Sequence, residues 1–86
     1  MPYRLRITGR ALQELKTLPP RIEARLQDAI GDLAHEPRPP GCKKLRGRAG
    51  WRLRVGDCRV IYQVDDSARV MIVLRAGHRR DFYRAR

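Results

Sequence analysis

Acidic and aromatic residues are scarce in this chain of 86 residues: nine Asp/Glu stand against 20 Lys/Arg, and aromatics make up 6%. The shortage of carboxylates leaves no paired-carboxylate site for acid–base work. It also leaves a formal net charge of +11, which favours phosphate-rich or acidic partners through long-range attraction. Long hydrophobic runs are missing too. No stretch approaches the ~20 apolar residues that span a bilayer, and the opening MPYRLRITGR alternates charged and apolar residues where a signal peptide would build an apolar core. A cytoplasmic protein with no membrane partner is expected. Cysteine is rare: Cys42 and Cys58 lie too far apart for a CxxC motif, and with His35 and His78 they make no convincing zinc set. Gly-rich phosphate loops and Ser/His/Asp or Cys/His arrangements of credible spacing are absent, so neither a metal nor a cofactor is expected.

What is present suits one compact folded domain over residues 1–86, with a hydrophobic fraction of 42% and a charged fraction of 34%. Net stability at this size is modest, about 5 kcal/mol, so a bound partner matters to it. The charge is unevenly spread. Residues 1–36 hold six Lys/Arg and five Asp/Glu, whereas residues 37–86 hold 14 and four, which makes the second half the anion-binding half.

Tyr3, Leu5 and Ile7 alternate with Arg4 and Arg6, the period of a strand with one face on a core. From Arg10 the period changes to a helical one through Leu12, Leu15 and Leu18, with Thr8 as a cap and Pro19-Pro20 as the stop. Pro20 then suits the first turn of a second helix, whose stripe Ile22, Leu26, Ala29, Ile30 and Leu33 predicts an end near His35. EPRPPGCKK reads as a connecting loop. Trp51, Leu53 and Val55 alternate with Arg52 and Arg54, a strand with both arginines opposite the tryptophan, and the turn Gly56-Asp57 follows. Cys58 to Val64 and Val70 to Ala76 are apolar at both parities, as in central strands, and pair as a hairpin through Asp65-Asp66-Ser67-Ala68. The order β-α-α-β-β-β predicts an α+β fold in which a helical hairpin covers one face of a mostly antiparallel sheet and leaves the other free.

The chemical signal lies in the last third. Arg52 and Arg54 project from one strand face about 7 Å apart, a spacing close to that of successive phosphates. Arg59 follows a tight turn and can face the same region; Arg79 follows the last strand. Four guanidiniums around one phosphate would bind its oxygens and stabilise a phosphorane-like transition state. Tyr83 adds a hydroxyl and a ring on which an unstacked base can lie. Lys43, Lys44, Arg46, Arg48, Arg80 and Arg84 extend the cationic surface as candidate RNA and rRNA contacts. The bland alternative is a solvated strand face that keeps an edge from aggregating. By the same token Tyr83 is a stacking ring or a core cap, Trp51 is core, and His78 is a proton carrier or a turn residue.

The run KKLRGRAGWRLRVGDCRVIYQVDD, followed by VMIVLRAGHRRDFYRAR, resembles RelE/ParE-type toxins of type II toxin–antitoxin systems. The shared pattern is Lys-Leu-x-Gly, Trp-Arg-x-Arg-x-Gly-x-x-Arg-x-x-Tyr and a terminal Gly-His-Arg-x-x-x-Tyr, and it extends loosely over the opening strand and the Leu-Pro-Pro helix junction. The resemblance implies a RelE-like fold of the microbial ribonuclease type. It implies a ribosome-dependent, metal-independent endoribonuclease that cuts mRNA in the A site by attack of a 2′-hydroxyl, and that a wrapping antitoxin segment, acidic or amphipathic, inhibits. Arg59, Arg79 and Tyr83 match an arginine, an arginine and a tyrosine of that site, while Arg52 and Arg54 stand where RelE-type enzymes commonly place two lysines. A guanidinium holds its proton, so these two neutralise charge and the proton must move through Tyr83 or His78. ParE-like members share the fold but inhibit DNA gyrase by binding, which is the alternative; a plain RNA-binding module is a third reading.

Overall fold

The computed structural model describes residues 2–78 and comprises β1 (Arg4–Ile7), α1 (Gly9–Lys16), α2 (Pro20–His35), β2 (Lys43–Lys44), β3 (Trp51–Val55), β4 (Cys58–Asp65) and β5 (Val70–His78). The five strands form one sheet in the order β1-β5-β4-β3-β2. All neighbours are antiparallel except β1 and β5, which run parallel with Arg4 opposite Val70 and Ile7 opposite Val73. The expected α+β architecture is therefore present. One element differs from expectation: Lys43 and Lys44, read as the end of a loop, pair with Arg52 and Trp51 as a short edge strand. Two residues carry no periodicity, so only the partner strand could reveal them. The last strand also runs on to His78 rather than ending at Ala76, and the turn spans 66–69, with Arg69 at a φ of 54°.

Both helices lie on one face. Thr8 caps α1, its hydroxyl oxygen accepting from the Ala11 N–H at 3.1 Å, and Ala11 and Leu15 turn inward. Pro20 opens α2 and Leu26, Ile30 and Leu33 form its buried stripe. These side chains meet Val60 and Tyr62 of β4 and Met71, Val73 and Ala76 of β5, all with essentially no exposure. β4 and β5 are thus the central strands that their apolar composition predicts.

β1 is shorter than β5, so among the described residues no strand lies beside the edge of β5 beyond Val73. Side chains serve that edge instead. The Thr8 hydroxyl donates to Leu74 O at 3.1 Å, and Glu14 Oε1 accepts from the Ala76 N–H at 3.1 Å. Glu14 Oε2 also takes Nη2 and Nε of Arg75 at 2.7 and 3.1 Å. At the other end Tyr62, fully buried, donates its hydroxyl to Pro37 O at 2.6 Å and so ties the proline-rich loop to the sheet.

Two outcomes follow for stability. Glu14→Ala removes the acceptor of the Ala76 N–H and a carboxylate that binds Arg75, and should cost about 2 to 3 kcal/mol in urea unfolding, with Glu14→Gln losing less. Burial, reinforced by the nearby Cys42, raises the Tyr62 phenol above its ordinary value of 10.0. The folded chain then keeps that proton where the unfolded chain has lost it, so this stability is intact below pH 10.0 and falls as pH climbs above it. Tyr62→Phe should cost about 1 to 2 kcal/mol at pH 8 and show a shallower decline between pH 8 and 11 than the unsubstituted protein.

Candidate functional site

Gly56 and Asp57 join β3 to β4, and Gly56 alone of the two has a positive φ, 60°, the pattern of a two-residue II′ turn. That turn sets Val55 opposite Cys58, Arg54 opposite Arg59 and Arg52 opposite Ile61. Directly opposed residues share a face, so Arg52, Arg54 and Arg59 point away from the helices while Trp51, Leu53 and Val55 pack toward the core. β2 adds Lys43, opposite Arg52. Four cations from three strands consequently share the face opposite α1 and α2. Gly41, Lys43, Arg52, Arg54 and Gly56 line a depression of about 420 Å³ there.

The cations differ in depth. Arg54 is exposed and Arg52 partly so, whereas Arg59 is only 8% exposed. Across β5 its opposite residue is Gly77, which brings no side chain to the face. Like charges directly opposed on neighbouring strands cost roughly 0.2 to 1 kcal/mol per pair. A phosphate suits such a surface because guanidiniums present planar pairs of donors.

The other expected residues fall into three groups. His78 ends β5 instead of sitting in a turn, and it is opposite the buried Cys58. It therefore lies on the helix side, where it lines a cavity of about 170 Å³ with Ile22, Arg25, Leu26, Val55 and Asp57, and the register keeps it apart from Arg54 and Arg59. Lys44 alternates with Lys43 and is opposite Trp51, while Arg46 and Arg48 are exposed on the loop between β2 and β3. Arg79, Arg80, Tyr83 and Arg84 lie outside the described residues.

Arg38 is an addition that no spacing announces. It reaches from the proline-rich loop to Asp66 in the β4–β5 turn, with Nη2 to Oδ2 at 2.6 Å and Nη1 to Oδ1 at 3.3 Å. Its guanidinium lies over the Trp51 ring, 5.3 Å from the centroid. The Tyr3 hydroxyl donates to Asp66 Oδ1 at 2.6 Å as well. Arg38 first and Tyr3 second hold the Asp66 carboxyl below its ordinary range, while Asp66 keeps the Tyr3 phenol and the Arg38 guanidinium protonated. A signal existed only in part: an arginine among prolines and an acidic turn, 28 residues apart.

Comparison with known proteins places this geometry. The family model for the ParE toxin of the type II toxin–antitoxin system parDE matches residues 5–83. Toxin RelG of Mycobacterium tuberculosis is 42% identical over 86 residues, covering 98% of this chain and 99% of that protein. The toxin–antitoxin complex RelBE2 from M. tuberculosis contains a chain that superposes with a TM-score of 0.82 at 38% identity, covering 92% of this chain and 100% of that one. For the archaeal RelE–RelB complex from Pyrococcus horikoshii the TM-score is 0.80 at 32% identity, over 92% and 97% of the two chains. The strand order, the helix pair on one face and these matches agree: the chain belongs to the RelE/ParE family of type II toxin–antitoxin toxins.

Proposed function

We propose that this toxin is a ribosome-dependent endoribonuclease that cuts mRNA in the A site. The observation that carries the reading is the convergence of Arg52, Arg54, Arg59 and Lys43 on the face opposite α1 and α2, with Arg54 directly opposite Arg59. In the proposed reaction the 2′-hydroxyl loses its proton and attacks the adjacent phosphorus. A P–O2′ bond forms, the P–O5′ bond breaks, and the leaving oxygen takes up a proton. The products are a 2′,3′-cyclic phosphate and a 5′-hydroxyl end, so RNA supplies its own nucleophile.

Three guanidiniums suit this chemistry because negative charge grows on the phosphoryl oxygens as the phosphorane forms, and fixed donors at those oxygens favour that state over the ground state. Arg59, the buried one, meets that charge with the least screening. The family pattern assigns Arg79 to the same chemistry. His78 is held on the helix side, which leaves Tyr83, matched by the family pattern, as the proton carrier. The partners are the ribosome and mRNA, and an antitoxin that covers the cationic face with an acidic or amphipathic segment. The solved relatives crystallised as RelE–RelB complexes support an antitoxin partner of that type.

The match to the ParE model, together with arginines at Arg52 and Arg54 in place of lysines, favours a second reading, a binding-only inhibitor of DNA gyrase. Primer extension on cellular messages after induction separates the two: cuts inside codons support the nuclease, and DNA breaks with intact messages support the gyrase inhibitor. Tyr83→Phe should slow single-turnover cleavage on programmed ribosomes by ~100-fold or more, and an unchanged rate removes the tyrosine from the mechanism. Sulfate at about ten times its Kd should raise stability by about 1.4 kcal/mol, seen as a rise in Tm over sodium chloride of equal ionic strength. Arg54→Ala should abolish most of that rise.

A further inference from the structure

The cations Lys44 and Arg48 stand apart from the arginine face. With Arg38, Trp51, Gln63 and Asp65 they line a cleft of about 760 Å³ at the Trp51 end of β3, roughly 10 Å along the strand from Arg54. From this geometry we infer that the cleft binds one unpaired RNA nucleotide, its base stacked on the Arg38 guanidinium and its flanking phosphates on Lys44 and Arg48. The inference rests on the reading that the target is RNA, and adds a second foothold remote from the scissile phosphate.

Arg38 is fixed before any ligand arrives. Asp66 grips it through both terminal nitrogens, and the Trp51 ring supports one face of the guanidinium. Arginine usually surrenders rotamer freedom when it binds; this one has already done so, which makes its plane a preformed platform. Asp66 takes two of its five N–H donors and so fixes the plane, whose face away from Trp51 borders the cleft. An unstacked base can use that face, since bases stack on guanidinium planes. Lys44 and Arg48 supply positive charge for the flanking phosphates, and the flat guanidinium face suits a base, a combination that a nucleotide offers and an acidic peptide lacks.

The loop that carries Arg48 is also preset. Leu45 N–H donates to Gly50 O at 3.0 Å across its neck. Gly47 and Gly50 hold φ values of 73° and 127°, and a Cβ at Gly50 would meet Tyr62 O at 3.0 Å and Leu45 Cδ1 at 3.1 Å. The loop therefore sits against β4 as a defined turn. Lys44, opposite Trp51, reaches the cleft from β2. Gln63 offers an amide that can both donate and accept at a base edge.

The probe is a fluorescently labelled 2′-O-methyl hexanucleotide with a central 2-aminopurine, which lacks the attacking hydroxyl and stays intact. Anisotropy titrations across a salt series compare the unsubstituted toxin with the double variant Lys44→Ala/Arg48→Ala, with Arg38→Lys and with Arg52→Ala/Arg54→Ala. The Lys44/Arg48 double variant changes only exposed side chains. It should bind on the order of tenfold more weakly at low salt, and the slope of log affinity against log salt should flatten by about 0.7 per cation removed. 2-Aminopurine fluorescence should be quenched by the unsubstituted toxin and not by Arg38→Lys, which keeps the charge and removes the plane. An unchanged slope in the Lys44/Arg48 variant, or quenching that persists in Arg38→Lys, overturns the cleft. If those variants bind normally while Arg52→Ala/Arg54→Ala does not, the cleft fails and the RNA reading stands. If the unsubstituted toxin does not bind the probe, the cleft falls, while the ribosome-dependent reading stands or falls on primer extension.

Discussion

The pairing of Arg54 with Arg59 across a two-residue turn is the constraint on which the cationic face depends. Side chains alternate along a strand with period two, so a slip of one residue would carry Arg52 and Arg54 into the core and Leu53 and Val55 into water. Gly56 secures the register because its backbone sits at a φ of 60°, and a Cβ there would meet Arg25 Nη1 of α2 at 3.0 Å. The hydrophobic side of β3 and the electrostatic side are thus two results of one hydrogen-bond ladder. Repulsion between the opposed arginines is tolerated since the apolar residues on the reverse of the same strands would lose more by slipping.

A face of this kind works only if the strands beneath it are rigid. β5 is the strand most in need of help, with β4 on one side and only four residues of β1 on the other. α1 supplies the remainder through Thr8 and Glu14, whose oxygens take the place of a neighbouring strand's carbonyls and amides. Glu14 is at once a helix residue, an edge cover and the counter-charge to Arg75. At the far end Tyr62 and Pro37 hold the proline-rich loop down, and that loop in turn delivers Arg38 to Asp66 and Trp51. Both cationic regions therefore rest on contacts between distant parts of the chain.

Much of this was legible from the residues. Alternation placed β1 and β3, the stripe from Ile22 to Leu33 placed α2, and the two-sided apolar runs marked β4 and β5 as central. Arg52, Arg54 and Arg59 could be put on one face because two alternating strands and a two-residue turn leave little freedom. Long-range partnerships were not legible. The parallel pairing of β1 with β5 joins residues 66 apart, and nothing in Arg4 to Ile7 states which strand they will meet. Lys43 and Lys44 become a strand only because β3 offers an open edge. His78, read as a proton carrier or a turn residue, instead ends β5, and strand parity sends its side chain to the helix side.

That parallel pair has a bearing on the toxin's own synthesis. β5 lies between β1 and β4, so a nascent chain that has emerged only as far as Asp65 holds a hairpin and two helices but no strand to join them. Ala11 and Leu15 then lack Met71 and Val73, with which they share the core, and β1 lacks the strand it pairs with. Loop closure over so much chain comes late in folding. Translation fragments of such a gene accordingly hold the arginine hairpin without the central strand that joins it to the helices and β1, and the producing cell meets that hairpin on its packed core only once β5 has been made.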